Sequence, residues 1–301
     1  MQIRVRDDRN RVVHLAGPPR RVVSLVPSDT LNVCALGAGS ALVGRTDYCD
    51  LPEDIAAKVP SIGGTKNPRV KDILDLAPDL VIANQEENTR SDLEAIAQAG
   101  TRVFVAFPKR VVEGLSHLAR LAMIFGVERD PAARDLLKRG YDALRRAEEA
   151  PKDARRRVFC PIWMDPLMTI NGGTFLSDML ALCGADNVFA DRERRYPLAA
   201  DLANAKPLGK EKIGDRDTRY PRVTLDEIVV RGAELVLLPD EPHPFTEADA
   251  AVFRALAPFA GKPDRVRFVN GKDLCWYGAM SVDGIDRVRA LIHASSATDT
   301  S

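Results

Sequence analysis

The chain has 301 residues, of which 45% are hydrophobic and 29% are charged. Its 43 basic and 43 acidic residues cancel, which argues against a general electrostatic attraction to nucleic acid. A chain of this length exceeds what one hydrophobic core usually serves, so two domains are expected. No stretch approaches the ~18 consecutive apolar residues of a membrane span, so we expect a protein that does not cross a membrane.

The cysteines and histidines show which disulfide and metal sites are not expected in this chain. The five cysteines include no Cys-x-x-Cys pair, which argues against a disulfide framework and a structural zinc site. The four histidines also lack the spacing of metal ligands. The N-terminal residues have no apolar core typical of a signal peptide, so a cytoplasmic protein or a removed leader is expected.

The first half of the chain alternates strand and helix patterns. A hairpin is predicted over 3–15, and a capping segment, 27–30, opens a helix that ends at Gly37. Strands separated by helices imply a parallel sheet with helices on both faces. The further strands are predicted over 21–26, 42–44, 78–83 and 102–106, and the further helices over 70–76, 91–99 and 111–125.

One long amphipathic helix is predicted over residues 130–150. Asp130 is a suitable N-cap, Pro131 suits the first helical position, and Pro151 follows the end. Apolar residues recur at three-and-four spacing along it, and at ~1.5 Å per residue it would be roughly 30 Å long. The simplest interpretation is two lobes, 1–127 and 151–301, joined by a linking helix over 128–150. The alternative is an ordinary crossover helix in one continuous sheet.

The second half repeats the alternation of strands and helices. Strands are predicted over 157–163, 234–238 and 266–269, and helices over 175–182, 224–231 and 284–293, with another helix after the loop 240–245. Residues 204–221 lack periodicity and are longer than most loops of compact domains. Their basic residues outnumber their acidic ones. We therefore expect this insertion to be a lid that covers the ligand and orders fully only with it.

An internal repeat supports two lobes. Residues 74–86 align without gaps with residues 229–241, and Glu86 falls on Glu241. Each lobe therefore carries an acidic cluster just past the C-terminal end of an equivalent strand. Ligands of open α/β sheets bind outside those strand ends, so the two clusters are expected to face one another across a cleft.

Three segments carry a family resemblance: Arg-Val-Val-Ser-Leu-Val-Pro-Ser at 21–28, Gly-Thr-Lys-Asn-Pro at 64–68, and Asp-Ile-Leu-Asp-Leu-Ala-Pro-Asp-Leu-Val-Ile-Ala at 72–83. Residues 21–126 resemble the N-terminal lobe of the periplasmic-binding-protein family that captures cobalamin and ferric siderophores for ABC importers. The resemblance implies two parallel-sheet α/β lobes joined by a single long helix, the class III substrate-binding-protein fold. It also implies a monomeric binding protein of the periplasm or cell envelope, without a covalent cofactor. Its partners would be a cobalamin or ferric siderophore ligand and an ABC transporter permease.

The candidate ligand-binding residues all fall at predicted strand exits, which a parallel sheet brings to one edge. Packing remains the alternative for Trp163 and Cys49, anchoring of a loop for Trp276 and Tyr277, and solvated charge for Glu86 and Glu87. The full set is Tyr48, Cys49, Lys66, Asn67, Glu86, Glu87, Asn88, Trp163, Arg195, Tyr196, Asp240, Glu241, His243, Trp276 and Tyr277.

Three further hypotheses concern metal, catalysis and docking. Glu86, Glu241 and His243 could form an oxygen-and-nitrogen metal site. With Cys49, the same residues could instead serve a cytoplasmic metal- or corrinoid-handling enzyme, and a scaffold with a vestigial pocket is a third class. In cobalamin receptors, a glutamate near the start of one helix in each lobe docks onto transporter arginines. This chain departs from that pattern: the second lobe offers Asp226 there, and the first lobe offers Lys71 with Asp72 beside it. Asp72 and Asp226 are therefore the docking candidates. The chain departs from those receptors near Thr65, where they carry an aromatic residue.

Overall fold

A computed structural model describes residues 2–151 and 155–294. It divides into two compact units. The first comprises Met1–Ala143 and Trp276–Asp283, and the second comprises Leu144–Cys275 and Gly284–Ser301. The predicted boundaries differ for 276–283, here called the return segment, because these residues pack with the first unit although they lie near the C-terminus.

The first unit contains a hairpin and a four-stranded parallel sheet. The hairpin pairs β1 (Ile3–Arg6) with β2 (Val12–Leu15) in antiparallel register, as predicted. The sheet contains β3 (Val22–Ser24), β4 (Leu42–Gly44), β5 (Leu80–Asn84) and β6 (Val103–Ala106), in the order β4-β3-β5-β6. The parallel pairing of all four strands confirms the predicted sheet.

Five helices flank this sheet: α1 (Pro27–Ala35), α2 (Glu53–Lys58), α3 (Val70–Asp75), α4 (Arg90–Gln98) and α5 (Val111–Phe125). A short three-ten turn, Gly39–Ala41, precedes β4. The prediction that the polar segment 27–30 caps α1 is wrong. Extended Val26 is the N-cap and Pro27 is the first helical residue, because the fixed φ of proline suits the first turn and its missing N–H costs nothing there. Asp29 therefore lies within the helix.

The long helix α6 spans Pro131–Glu149, which confirms the prediction for 130–150. Asp130 accepts a hydrogen bond from the Ala132 N–H at 2.8 Å. Gly140 lowers the helix propensity of this segment, but the helix continues through it. A Cβ atom there would lie 2.7 Å from Leu115 Cδ2, so the glycine permits close approach to α5. The division between the units falls after Ala143, so the chain passes from one to the other within α6.

The second unit has the same sheet order as the first. Its strands are β7 (Arg156–Phe159), β8 (Pro161–Met164), β9 (Leu167–Thr169), β10 (Ala185–Asn187), β11 (Leu235–Pro239) and β12 (Val266–Val269). The parallel sheet runs β10-β7-β11-β12, and β8 and β9 form a separate antiparallel hairpin. A single strand over 157–163 was expected and is wrong, because Pro161 has no N–H to donate to the ladder. It instead begins the hairpin.

The helices of the second unit are α7 (Phe175–Leu182), α8 (Lys210–Ile213), α9 (Leu225–Val230), α10 (Glu247–Arg254) and α11 (Gly271–Cys275). Three-ten turns occupy Leu198–Leu202 and Pro263–Arg265. The last helix, α12 (Ala279–His293), begins in the return segment and ends in the second unit. It starts earlier than predicted because Asn32 Oδ1 accepts the Ala279 N–H at 2.7 Å, which satisfies a first-turn donor.

The internal repeat is visible in the structure. Helix α3 and strand β5 have the same lengths, six and five residues, as α9 and β11, and β5 and β11 occupy the same position in their sheets. Each sheet has a buried apolar core, which includes Leu25 and Ile73 in the first unit and Phe159 and Phe253 in the second. Within the described residues, no helix combines the length and apolarity that crossing a membrane requires.

Candidate functional site

In the first unit, exposed polar and aromatic groups gather where β4 and β5 end. Tyr48 follows β4 with 64% of its surface exposed. A Cβ atom on Gly64 would lie 3.5 Å from the Tyr48 ring and 2.4 Å from Asn67 Oδ1. The glycine thus lets Tyr48 and Asn67 lie against the same piece of backbone.

The acidic loop, residues 84–88, lies beside that backbone. Lys66 Nζ donates a hydrogen bond to the Glu86 carbonyl oxygen, and Asn88 Nδ2 donates to the Thr65 carbonyl oxygen at 2.9 Å. Glu86 and Glu87 are both partly exposed. The structure therefore brings four predicted site residues, Tyr48, Lys66, Asn67 and Glu86, to one region of the first unit.

Two other predicted residues of this region are structural in character. Asn88 is 4% exposed, and its side chain bonds the backbone of Asn84, Leu25 and Thr65. Cys49 is 1% exposed, and its Sγ lies 3.1 Å from the hydroxyls of both Thr30 and Thr46. Burial raises the pKa of the Cys49 thiol. The packing alternative therefore fits Cys49, because a buried thiol with a raised pKa does not present a thiolate to a ligand.

Trp276 and Tyr277 are also buried, at 6% and 5% exposure. The Tyr277 hydroxyl donates to Asp29 Oδ2 at 2.9 Å and accepts from Asn84 Nδ2 at 3.2 Å. Burial raises the pKa of Tyr277 well above its ordinary value of 10.0, and the neighbouring Asp29 carboxylate adds to this effect. These positions fit the loop-anchor alternative for the return segment.

Sequence reasoning missed the polar network around Tyr277. Asp29 and His117 are fully buried, and His117 Nε2 lies 2.7 Å from Asp29 Oδ1. Arg120 Nη2 lies 3.4 Å from His117 Nδ1. Because a guanidinium can only donate, Nδ1 is the acceptor, and the ring proton on Nε2 is directed to Asp29. The sequence feature that could have indicated this network is the position of His117 on the apolar face of α5, between Leu115 and Leu118. A histidine on such a face needs a buried hydrogen-bond partner.

In the second unit, Trp163 is an exposed aromatic residue among the predicted contacts. It lies on β8 with 44% of its surface exposed, and its Nε1 donates to the Asp165 carbonyl at 2.9 Å. Its ring centre is 5.3 Å from that of His243, which in turn is 4.6 Å from Phe245. The core-packing alternative for Trp163 is therefore wrong, because a core residue would not expose this much of its ring.

The acids of the loop after β11 are positioned by α11. Asp240 Oδ1 accepts the Gly271 N–H at 2.6 Å, and Glu241 Oε1 lies 3.2 Å from Cys275 Sγ. A Cβ atom on Gly271 would approach Glu241 Cγ to 2.6 Å, so glycine is required for this packing. His243 Nε2 lies 3.8 Å from Asp249 Oδ2. The Thr246 backbone N–H is the main cause that lowers the pKa of Asp249.

Arg195 and Tyr196 belong to a compact arrangement with the insertion 204–221. The guanidinium groups of Arg194 and Arg216 lie over the Tyr196 ring, 5.7 and 5.3 Å from its centre. The Tyr196 hydroxyl donates to the Asp217 carbonyl at 2.9 Å. Buried Asp201 accepts the Arg195 N–H at 2.5 Å. Tyr196 therefore anchors the insertion through its ring and its hydroxyl.

Comparison with known proteins decides the family. A family model described as "Periplasmic binding protein" matches residues 22–220. This chain belongs to the periplasmic binding protein family. The vitamin B12-binding protein of Yersinia pestis (strain Pestoides F) is 32% identical over 178 residues, which cover 59% of this chain and 62% of that protein. The match thus spans less than two thirds of the relative's length.

Solved structures show the same fold. The crystal structure of the periplasmic vitamin B12-binding protein BtuF of Vibrio cholerae has a TM-score of 0.68 at 22% identity, covering 91% of this chain and 97% of that one. The periplasmic heme-binding protein RhuT from Roseiflexus sp. RS-1 has a TM-score of 0.71 at 17% identity, covering 91% and 98%. The predicted class III fold, with two parallel-sheet α/β units, is confirmed, and α6 is one of the places where the chain passes between them.

The structure of this periplasmic binding protein gives the positions of the residues predicted to bind a metal ion or to dock onto a transporter. Among the described residues, no three or more His, Cys, Asp or Glu side chains gather in a group that could hold a metal ion. Glu86 lies in the first unit, and Glu241 and His243 lie in the second. Asp72 and Asp226 occupy the first turns of the equivalent helices α3 and α9. Asp226 is exposed, whereas Asp72 pairs with Arg69 at 2.5 Å.

Proposed function

We propose that this chain is a substrate-binding protein that captures a bulky metal-bearing small molecule, with a corrinoid favoured over a ferric chelate. The observation that carries the proposal is the 32% identity with a vitamin B12-binding protein over 178 residues. Exposed Tyr48, in the loop after β4, and exposed Trp163, on β8, support it, because flat aromatic rings offer broad contact area to a planar macrocycle.

The acidic groups favour a corrinoid over haem. Glu86 and Glu87 in the first unit, and Asp240 and Glu241 in the second, are carboxylates at strand ends. A carboxylate accepts hydrogen bonds and repels other carboxylates. The amide groups around a corrin ring can donate to these residues, whereas the two carboxylates of haem would meet like charge. The remaining predicted contacts, Lys66, Asn67, Arg195, Tyr196 and His243, would fix the ligand's orientation.

The proposed role is binding without turnover, and it includes a protein partner. Membership of a family of binding proteins supports capture rather than catalysis. We infer an ABC-type permease as the partner and the periplasm or cell envelope as the location. Asp72 and Asp226 would dock onto cationic groups of that permease, because both lie in the first turns of equivalent helices.

Ligand titration tests the proposal directly. The purified chain is titrated with cyanocobalamin, cobinamide, ferrichrome and haemin, by calorimetry and by thermal unfolding. We expect both corrinoids to bind with Kd at or below about 1 μM, equivalent to roughly −8 kcal/mol. At 100 times Kd, such a ligand stabilises the folded chain by ~2.7 kcal/mol. Tighter binding of haemin or ferrichrome than of either corrinoid would contradict the ligand assignment, and binding of none would favour the vestigial scaffold.

Variants of Trp163 test its role as a contact. Trp163→Ala should weaken cyanocobalamin binding by at least about tenfold, and Trp163→Phe should retain most of the affinity because it keeps an aromatic face. Tyr141→Ala is the matched control, because Tyr141 is 40% exposed on α6 and lies away from any strand end. Equal losses in Trp163→Ala and Tyr141→Ala would contradict a specific contact. Conversion of the bound corrinoid, lost in Glu86→Gln, would instead favour the enzyme alternative.

A further inference from the structure

The shape of the acidic loop depends on the side chain of one buried residue. Asn84 ends β5 and is 4% exposed. Its Oδ1 accepts the backbone N–H of Glu86 at 2.7 Å and that of Glu87 at 3.4 Å. An asparagine that bonds its own backbone two residues on forms an Asx turn. The direction in which the acidic pair leaves the strand is therefore set by the orientation of the Asn84 amide.

That orientation is in turn set by a residue far along the chain. The Asn84 amide uses its oxygen for the loop, so its Nδ2 needs an acceptor, and Tyr277 supplies one at 3.2 Å. The Tyr277 hydroxyl has one proton, which it gives to Asp29 Oδ2 at 2.9 Å. A lone pair of the hydroxyl is thereby directed to Asn84.

The far end of the network holds Tyr277 in place. Asp29 Oδ1 lies 2.7 Å from His117 Nε2 and accepts from Asn32 Nδ2 at 3.1 Å. The His117 ring stacks on Phe104 at 5.7 Å and meets the edge of the Tyr277 ring at 5.5 Å. Since these groups are buried and mutually bonded, their hydrogen bonds have little freedom to rearrange. The hydroxyl of Tyr277 is consequently held in one position.

We propose that Tyr277 is a positioning residue for the acidic loop: its hydroxyl orients the Asn84 amide, and Asn84 holds Glu86 and Glu87 where their carboxylates accept hydrogen bonds from donor groups of the ligand. This inference rests on the proposed function, because it concerns the same ligand. The aromatic ring of Tyr277 supplies packing to the first unit. Only the hydroxyl supplies the orientation, so the two contributions can be separated by removing one oxygen atom.

Hydrogen exchange without ligand tests the positioning step. In Tyr277→Phe, the amide hydrogens of Glu86 and Glu87 should exchange about fivefold faster, the size expected for one lost hydrogen bond. The amide of Ile82, in the middle of β5, should keep its wild-type rate. Tyr141→Phe is the matched control, because its hydroxyl lies on exposed α6, 3.5 Å from Ser116 Oγ, and it should change neither rate. Asn84→Ala breaks the same link from the other side and should reproduce the faster exchange if Tyr277→Phe fails to fold.

Ligand binding then tests the consequence. Tyr277→Phe should bind cyanocobalamin about fivefold more weakly than the wild type, and Tyr141→Phe should bind it equally well. Unchanged exchange at Glu86 and Glu87 in both network variants, or an equal acceleration throughout the first unit, would overturn the role of Tyr277. Faster loop exchange with unchanged affinity would overturn its importance for the ligand. Failure of the wild-type chain to bind any corrinoid would instead overturn the proposed function, because the exchange measurement does not involve a ligand.

Discussion

At the scale of single residues, the tightest contact of the return segment is made by a glycine. Gly278 has φ +84°, and a Cβ atom there would lie 2.4 Å from Asn32 Oδ1 and 2.7 Å from Asn32 Nδ2. Asn32 is fully buried, and both ends of its amide are bonded, to Ala279 N and to Asp29 Oδ1. It therefore cannot move aside without breaking a hydrogen bond.

Gly278→Ala should destabilise the chain more than Gly37→Ala does. Gly37 has a similar φ of +79° and no atom within 4 Å of an added Cβ, so it isolates the backbone term, about 1–2 kcal/mol for a residue forced into the left-handed region. The steric overlap at Gly278 should add roughly 1–3 kcal/mol. Urea unfolding of both variants measures the difference. Equal losses of unfolding free energy in Gly278→Ala and Gly37→Ala would show that the Asn32 side chain can move aside.

At the scale of elements, the insertion 204–221 is more structured than its lack of periodicity suggested. It contains the short helix α8, and the Leu208 N–H donates to the Tyr196 carbonyl at 2.7 Å. Near its end, the Arg194 N–H donates to the Thr218 carbonyl at 2.7 Å. The insertion is thus tied to the second unit at both ends, and its covering of the ligand stays a prediction.

Replacing residues 204–216 by a short Gly/Ser linker tests the lid. The replacement keeps Asp217 and Thr218, whose carbonyls bond Tyr196 and Arg194, so the fold should persist. Cyanocobalamin binding should weaken by at least about tenfold, or roughly 1.4 kcal/mol. Arg216→Gln is the control that removes only the guanidinium over Tyr196. Unchanged affinity of the shortened chain, or equal hydrogen exchange across the insertion with and without ligand, would refute a lid.

At the scale of the whole molecule, the chain passes between the two units at three places. It leaves the first unit within α6 after Ala143, enters it again after Cys275, and leaves it within α12 after Asp283. The ion pair between Asp273 and Arg287, with oxygen-to-nitrogen distances of 2.8 and 2.5 Å, lies in the second unit just outside the return segment. The return segment is therefore the part of the C-terminal region that packs with the first unit.

Two truncations test this dependence. A chain ended after Cys275 loses the return segment, which leaves buried Asp29 without its bond to Tyr277. We expect faster hydrogen exchange in α1 and α5, because the buried Oδ2 atom of Asp29 loses its donor, and a buried polar group left unsatisfied costs about 1–3 kcal/mol or more. A chain ended after Asp283 keeps the segment and should keep more of this protection. Equal protection of α1 and α5 in both truncated chains would show that the first unit is complete without it.

The candidate site was predictable in outline because strand exits can be located from local patterns. Parallel strands place their C-terminal ends at one edge, so Tyr48, Lys66 and Glu86 could be expected together, and Trp163 could be expected near His243. Burial could not be predicted at the same positions. Cys49 and Asn88 follow the same strand-exit rule, yet they are covered by Thr30, Thr46 and the loop backbone.

Sequence by itself determined what depends on neighbours along the chain. The apolar periodicity of 130–150 predicted α6, the alternation of strands and helices predicted two parallel sheets, and the repeat of 74–86 at 229–241 predicted their equivalence. These features follow from local geometry, since period and capping act within a few residues. They were sufficient for the fold class.

Only the tertiary structure decided the place of the return segment and the network around Tyr277. Tyr277 and Asp29 are 248 positions apart, and Tyr277 and Asn84 are 193 apart. No local propensity brings such residues together, because their contact depends on the packing of the whole first unit. From the sequence, a tyrosine at a predicted strand exit is expected to contact a ligand. In the structure, packing buries Tyr277, and its hydroxyl accepts a hydrogen bond from Asn84.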